Sequence, residues 1–177
     1  WDSPNVAFEV VGAERSEIEG DVWTIPASRT KSKTPHAIPL AAGAAAVLRE
    51  AMAQYPDSRF VFPAVSRGTT LMDKPMSRHT PDHKFAEIAV ALRWVGADGK
   101  PNAGVHDIRR TTATALARLG TPTDLIDRIQ GRSLGTAGDS GVSWVYNRHT
   151  YLDERRGALA RWEDDLLKRI VKEAQKP

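Results

Sequence analysis

The sequence predicts an α+β fold that is mostly helical, with a small antiparallel sheet near the N-terminus. Three observations carry this. Short runs of strand character, Val22–Ile25 and Ala37–Leu40, stand close together with polar, Gly- and Pro-containing turns around them. After Leu40 the apolar period changes from two to 3.6. The second half is then dominated by two strongly helical patterns, Val105–Leu119 and Leu152–Val171.

In order, Phe8–Val11 and Val22–Ile25 read as strands, with the acidic, Gly-containing stretch Gly12–Asp21 between them. Ala37–Leu40 is a third strand, placed at an edge by Pro39, which offers no N–H to a ladder. Ala41–Gln54 is Ala-rich, with Val47, Leu48 and Met52 at helical spacing. Phe60–Pro63 is a short apolar run, and Ser66–Lys74, rich in Gly and Thr, reads as a loop. Pro81–Val95 is a helix whose apolar face carries Phe85, Ile88, Ala89 and Leu92, and Gly96–Gly104 interrupts it. Val105–Leu119 ends at Gly120. A further helix runs to Gln130 with Thr121 or Thr123 as its cap. Gly131–Gly141 is a loop, Val142–Asn147 a short helix or turn, and Leu152–Val171 a long last helix. There is no repeat and no low-complexity segment, so residues 1–177 are read as one domain.

Composition excludes several chemistries. The 177 residues contain no Cys, which rules out a disulfide scaffold, a thiolate zinc site and a cysteine nucleophile. No run of about 18 apolar residues suggests a membrane span, and the composition fits a reducing cytoplasm. The net charge of +3 is unevenly spread. Residues 1–22 hold six acids and one base, so the remainder carries +8 and points toward a polyanionic partner.

Three clusters are candidates for chemistry. His106 and Arg109 stand at i and i+3 near the start of a helix. Two donors there share a face roughly 5–6 Å apart, close to a helix N-terminus that attracts anions. That arrangement suits a phosphate, and a capped helix with solvated charges is the plainer reading. Arg110 points elsewhere, to a polyanion backbone or a carboxylate. Arg29, Lys31 and Lys33 lie between two strands in a stretch without acids; a lysine there can reach into a groove and donate a proton, or the cluster is a solvated hairpin tip. Arg132, Tyr146 and Arg148 form the third cluster, with His149 and Tyr151 close behind. A tyrosine phenol can attack phosphorus or simply pack in a core. His79 and His83 are the one pair with metal-ligand character, but Pro81 lies between them and no carboxylate completes a set, so no metal site is assigned.

Taken in order, these clusters resemble the catalytic domain of the tyrosine recombinases, the phage integrase family. Trp23-Thr-Ile-Pro-Ala, Thr30-Lys31 and Pro35-His-Ala-Ile-Pro-Leu40 are similar to the family's β2–β3 hairpin. His106-Asp-Ile-Arg-Arg-Thr111 resembles its His-x-x-Arg helix. Val142-Ser-Trp-Val-Tyr146-Asn-Arg-His149, followed by Tyr151-Leu, Glu154-Arg-Arg156 and Trp162, is similar to its nucleophile segment and closing helix. The likeness covers residues 22 to about 166.

The resemblance implies site-specific recombination in phage or prophage integration or excision. DNA is cut and rejoined through a 3′-phosphotyrosine link, without metal, ATP or other cofactor. It implies Tyr146 as nucleophile, Arg109 as a clamp on a non-bridging oxygen, His106 as a second donor that also handles the tyrosine proton, and Lys31 as the acid for the leaving 5′ oxygen. Arg132 falls where the family commonly has His or Trp; it donates to phosphate but cannot relay a proton near neutral pH. Arg29, Lys33, Arg110 and Arg148 are expected to contact DNA. The partner is a double-stranded attachment site, with self-association as a tetramer in the full-length protein and no membrane. The family's further arginine, on an early helix, has no counterpart, and Trp1-Asp2 resembles the end of that stretch. The chain is therefore expected to be an N-terminally shortened catalytic domain, inactive or weak alone. Two other readings stay open: Ala113–Ile129 as a helix–turn–helix module that binds DNA without chemistry, and a decayed recombinase that only binds DNA, which Arg132 motivates.

Overall fold

In Val22–Ile25 the side chains of Trp23 and Ile25 point inward and Thr24 outward, the two-residue alternation of a half-buried strand. The computed structural model, which describes residues 6–30, 32–66, 70–101, 103–132 and 150–175, builds a three-stranded antiparallel sheet on this strand. We label the strands β1 (Ile18–Glu19), β2 (Val22–Ile25) and β3 (His36–Pro39), in the order β1-β2-β3. Trp23 faces Ile18 on one side and Ile38 on the other, and Ile25 faces His36. Gly20, at φ 59°, makes the tight link between β1 and β2. As expected from Pro39, β3 is an edge.

Two cores follow. Ala13, Trp23, Ile25 and Val61 form the first, flanked by Leu48, Ala51 and Met52 of α2 (Ala42–Gln54). Leu116 of α4 (Val105–Arg118), Leu125 and Ile126 of α5 (Thr123–Ile129) and Ala158 of α6 (Leu152–Ala174) form the second, with Tyr151 and Trp162 packed against it.

Helix α6 joins the two cores. Arg155, buried, donates from Nη1 to the Ala37 carbonyl at 2.8 Å and from Nε to the Tyr151 carbonyl at 3.3 Å. It thereby covers a β3 edge carbonyl that would otherwise need water. Arg156 takes both oxygens of Asp21 at 3.0 and 3.2 Å. Helix α2 begins at Ala41, which has no side-chain oxygen to cap it, and the Glu163 carboxylate accepts the Gly43 N–H at 2.6 Å instead. At the other end of α2, Arg15 donates to the Met52 carbonyl and, at 2.6 Å, to that of Tyr55. Loss of the remote cap in Glu163→Ala should cost about 1 kcal/mol, measurable as a lower urea midpoint at unchanged slope. An unchanged midpoint would mean that water replaces the carboxylate.

Several elements differ from expectation. Phe8–Val11 lies in a helix, α1 (Val6–Val11), not in a strand. Its four residues were too few to separate the two periods. The expected loop Ser66–Lys74 is largely hairpin: β4 (Pro63–Ser66) pairs antiparallel with β5 (Thr70–Pro75), with Val65 opposite Leu71. Its side chains are largely exposed, so it lacks the buried face that sequence alternation reports. Helix α3 (Thr80–Ala91) stops before Val95. Arg93 adopts the left-handed conformation, and the Trp94 N–H closes back onto Ala89 at 2.7 Å. Ile88 and Leu92, expected on its buried face, are more than half exposed, while Ala89 is buried. Thr121 and Thr123 do not cap α5, which begins at Pro122. Thr121 instead ends α4: its N–H reaches the Leu116 carbonyl and that of Gly120, at φ 79°, reaches Ala117, both at 3.0 Å. This is a Schellman closure that turns Thr121 inward. Residues 141–149, including the expected Val142–Asn147 turn, lie outside the described residues.

Candidate active site

Helix α4 starts at Gly104, whose N–H is taken by the Asp107 carboxylate at 3.0 Å. That hydrogen bond, helped by Arg110, holds the Asp107 carboxyl below its ordinary range. His106 is exposed in this first turn, and Arg110 is exposed and paired with Asp107 at 3.1 Å. One turn on from His106, Arg109 points inward. Its guanidinium donates to the Gln130 carbonyl at 2.5 Å, and the Gln130 amide returns a bond to the Arg109 carbonyl at 2.8 Å. This reciprocal pair fastens α4 to the end of α5.

The end of α5 also orients Arg132. Gly131 has φ 62° and sends its N–H to Arg128 at 3.3 Å, while the Arg132 N–H returns to the Asp127 carbonyl at 2.9 Å. This is the same closure as at Gly120. The Arg132 side chain then pairs with Asp127 at 3.2 Å and stays half exposed. Arg109 and Arg132 thus sit near one another. Burial, followed by the charge of Arg132, lowers the Arg109 pKa, although an arginine stays charged throughout the working range. Among the described residues no carboxylate forms an ion pair with Arg109. Glu9 of α1 faces it from further off, and burial raises the Glu9 pKa while Arg109 and Arg29 pull it back. Two guanidinium groups near one another, that of Arg109 held on the Gln130 carbonyl and that of Arg132 on the Asp127 carboxylate, make a cationic site suited to an anion.

The hairpin loop is pinned beside this site. The Thr30 hydroxyl, buried, sits 3.2 Å from the Ala27 carbonyl and 2.7 Å from that of Thr34. Lys33 is exposed in the left-handed conformation. Lys31, Tyr146 and Arg148 lie outside the described residues. Arg29, read from the sequence as a DNA contact, is turned inward: it pairs with Glu17 and donates to the Glu9 carbonyl at 3.0 Å, with its side chain only 18% exposed. Of the acids in residues 1–22, Glu17 pairs with Arg29 and Asp21 with Arg156.

One contact escaped the sequence reading. The His36 ring of β3 lies 3.1 Å from the Arg128 carbonyl and against Gly131. The available signal was a polar ring on the same strand face as Ile38, but its partner lies 92 positions away.

Among the described residues no helix is long and apolar enough to cross a membrane. The family model described as "Phage integrase family" matches residues 9–136. Among curated proteins, the chain is 30% identical over 142 residues to "Prophage integrase IntA" of Escherichia coli (strain K12), covering 80% of this chain and 30% of that protein. It is 31% identical over 147 residues to "Prophage integrase IntZ" of the same organism, covering 83% and 32%. The chain therefore spans about a third of the length of these relatives. No solved structure matches it. With the family model matched from Glu9, on the helix facing Arg109, through the closure that carries Arg132, the chain belongs to the phage integrase family.

Proposed function

We propose that this chain supplies the catalytic part of a site-specific DNA recombinase that cleaves and rejoins strands through a 3′-phosphotyrosine intermediate. The observation that carries the reading is the fixed pair Arg109–Arg132, with Arg109 held by the Gln130 carbonyl and free of a direct carboxylate partner among the described residues. A phosphodiester carries one negative charge, and its five-coordinate transition state concentrates more on the non-bridging oxygens. Rigid donors aimed there lower the barrier.

In the proposed step the Tyr146 oxygen bonds to phosphorus as the bond to the 5′ oxygen breaks. Lys31 gives that oxygen its proton, and the tyrosine proton passes to His106 or water. Arg109, His106 and Arg132 donate to the phosphate. A phosphodiester is exchanged for a phosphotyrosine diester, so attack by another 5′ hydroxyl reverses the step without a cofactor. Lys33, Arg110 and Arg148 are assigned to the DNA backbone, with a double-stranded attachment site as substrate and self-association on it.

Incubation of the full-length protein with a nicked suicide duplex should trap a covalent protein–DNA adduct, and peptide mapping should find the nucleotide on Tyr146. Tight DNA binding without an adduct would instead favour a module that only binds DNA. An adduct mapped to Tyr151 would exchange the roles of the two tyrosines.

A further inference from the structure

His36 occupies a place that the proposed chemistry does not use. It begins β3, directly after the loop that contains Lys31, and its ring crosses to the end of α5. A carbonyl only accepts, so the Nε2 atom 3.1 Å from the Arg128 oxygen is the donor of this bond and carries a proton. The other side of the ring lies on the Gly131 backbone. A Cβ on Gly131 would stand 2.8 Å from Nδ1 and 2.9 Å from Cε1, closer than packed atoms come. Gly131 is also the left-handed residue whose closure aims Arg132, and its neighbour Gln130 holds Arg109.

We propose that His36 is a positioning residue for DNA cleavage, a latch that holds the β2–β3 hairpin against the Gln130–Arg132 turn so that the hairpin and the two site arginines keep one geometry. The proposal rests on the cleavage reading given above. A misplacement of about 1 Å at a reacting centre can cost on the order of a hundredfold in rate, so a clamp between segments far apart in sequence has kinetic weight.

The groups around the ring make the latch sensitive to protonation. Arg155 of α6 and Arg109 of α4 face it with positive charge, α5 offers the Arg128 carbonyl, and β2 offers the apolar Ile25. Burial first, and then these two arginines, hold the His36 pKa below its ordinary 6.5, against the pull of the Arg128 bond. The folded value lies below the unfolded one, so the contribution is complete above the unfolded value and is lost as pH falls through the folded value.

His36→Leu removes the donor, and His36→Gln returns an N–H at similar reach. On the suicide duplex the leucine variant should form adduct about ten- to a hundredfold more slowly, with DNA affinity within about twofold of wild type. Hydrogen exchange at the Gly131 and Arg132 amides should speed up. The glutamine variant should recover most of the rate and lose the acid-side fall that wild type shows. Wild-type cleavage by His36→Leu, or a glutamine variant no better than leucine, overturns the proposal. If wild type forms no adduct, the cleavage reading has failed on its own ground. Amide exchange then still judges the latch: faster exchange in His36→Leu supports it and unchanged exchange overturns it.

Discussion

Arg109→Ala is expected to slow covalent adduct formation by about 100- to 1,000-fold, while DNA affinity falls only a few-fold. The asymmetry has a physical origin. Affinity for duplex DNA is spread over many phosphate contacts, and losing one changes it little. The transition state concentrates new charge on one phosphate, and in the proposed reaction Arg109, fixed by the Gln130 carbonyl, is a donor to it. Alanine removes the donor and unfastens α4 from the end of α5, so Arg132 should be loosened as well. Arg109→Lys should recover little, because a single ammonium cannot hold the Gln130 carbonyl and present a planar fork to phosphate at once. Single-turnover cleavage and filter binding on the same DNA separate the two quantities. Cleavage within about threefold of wild type would take Arg109 out of the site.

Arg155→Ala should destabilise the fold by about 2 kcal/mol, since it leaves the Ala37 carbonyl without its donor and removes the buried Arg155 stem, while the Tyr151 carbonyl keeps the main-chain N–H of residue 155 at 3.0 Å. For a chain of this size that corresponds to a melting temperature lower by about 4–8 °C. The loss should exceed that of Glu163→Ala, because a half-exposed helix end can turn to water and the Arg155 site cannot. Urea unfolding read by tryptophan fluorescence measures both. A loss under about 1 kcal/mol for Arg155→Ala would mean that α6 is held on the sheet chiefly by its apolar packing.

What could be read beforehand tracks where one face of an element is buried. Val22–Ile25, Val105–Leu119 and the last helix each put an apolar stripe into a core, and their sequence positions agree with the structure to within a few residues. β4 and β5 bury little, so no alternation announced them. Helix α3 ended early because Arg93 took a left-handed turn that its residue type does not favour, a choice made by the surrounding chain. Glu163 and Arg15 finish the two ends of α2 from 120 and 37 or more positions away, a separation that no local capping signature reaches. At the site, His106 and Arg109 were legible because helical spacing fixes their relation. The inward turn of Arg29 was not, because Glu17 looks in sequence like one more solvated acid.

The sequence by itself determined the family, the order of the chemical residues, and the division into a front sheet and a helical second half, since all three depend on residue type and short spacing. Only the tertiary structure decided what holds each cation. Arg15, Arg29, Arg155 and Arg156 are bound to carbonyls or carboxylates that tie distant segments together, and Arg109 and Arg132, held by the Gln130 carbonyl and the Asp127 carboxylate, are set near one another. A guanidinium looks the same everywhere along a chain, and its role is fixed by the partners that folding brings within hydrogen-bond reach.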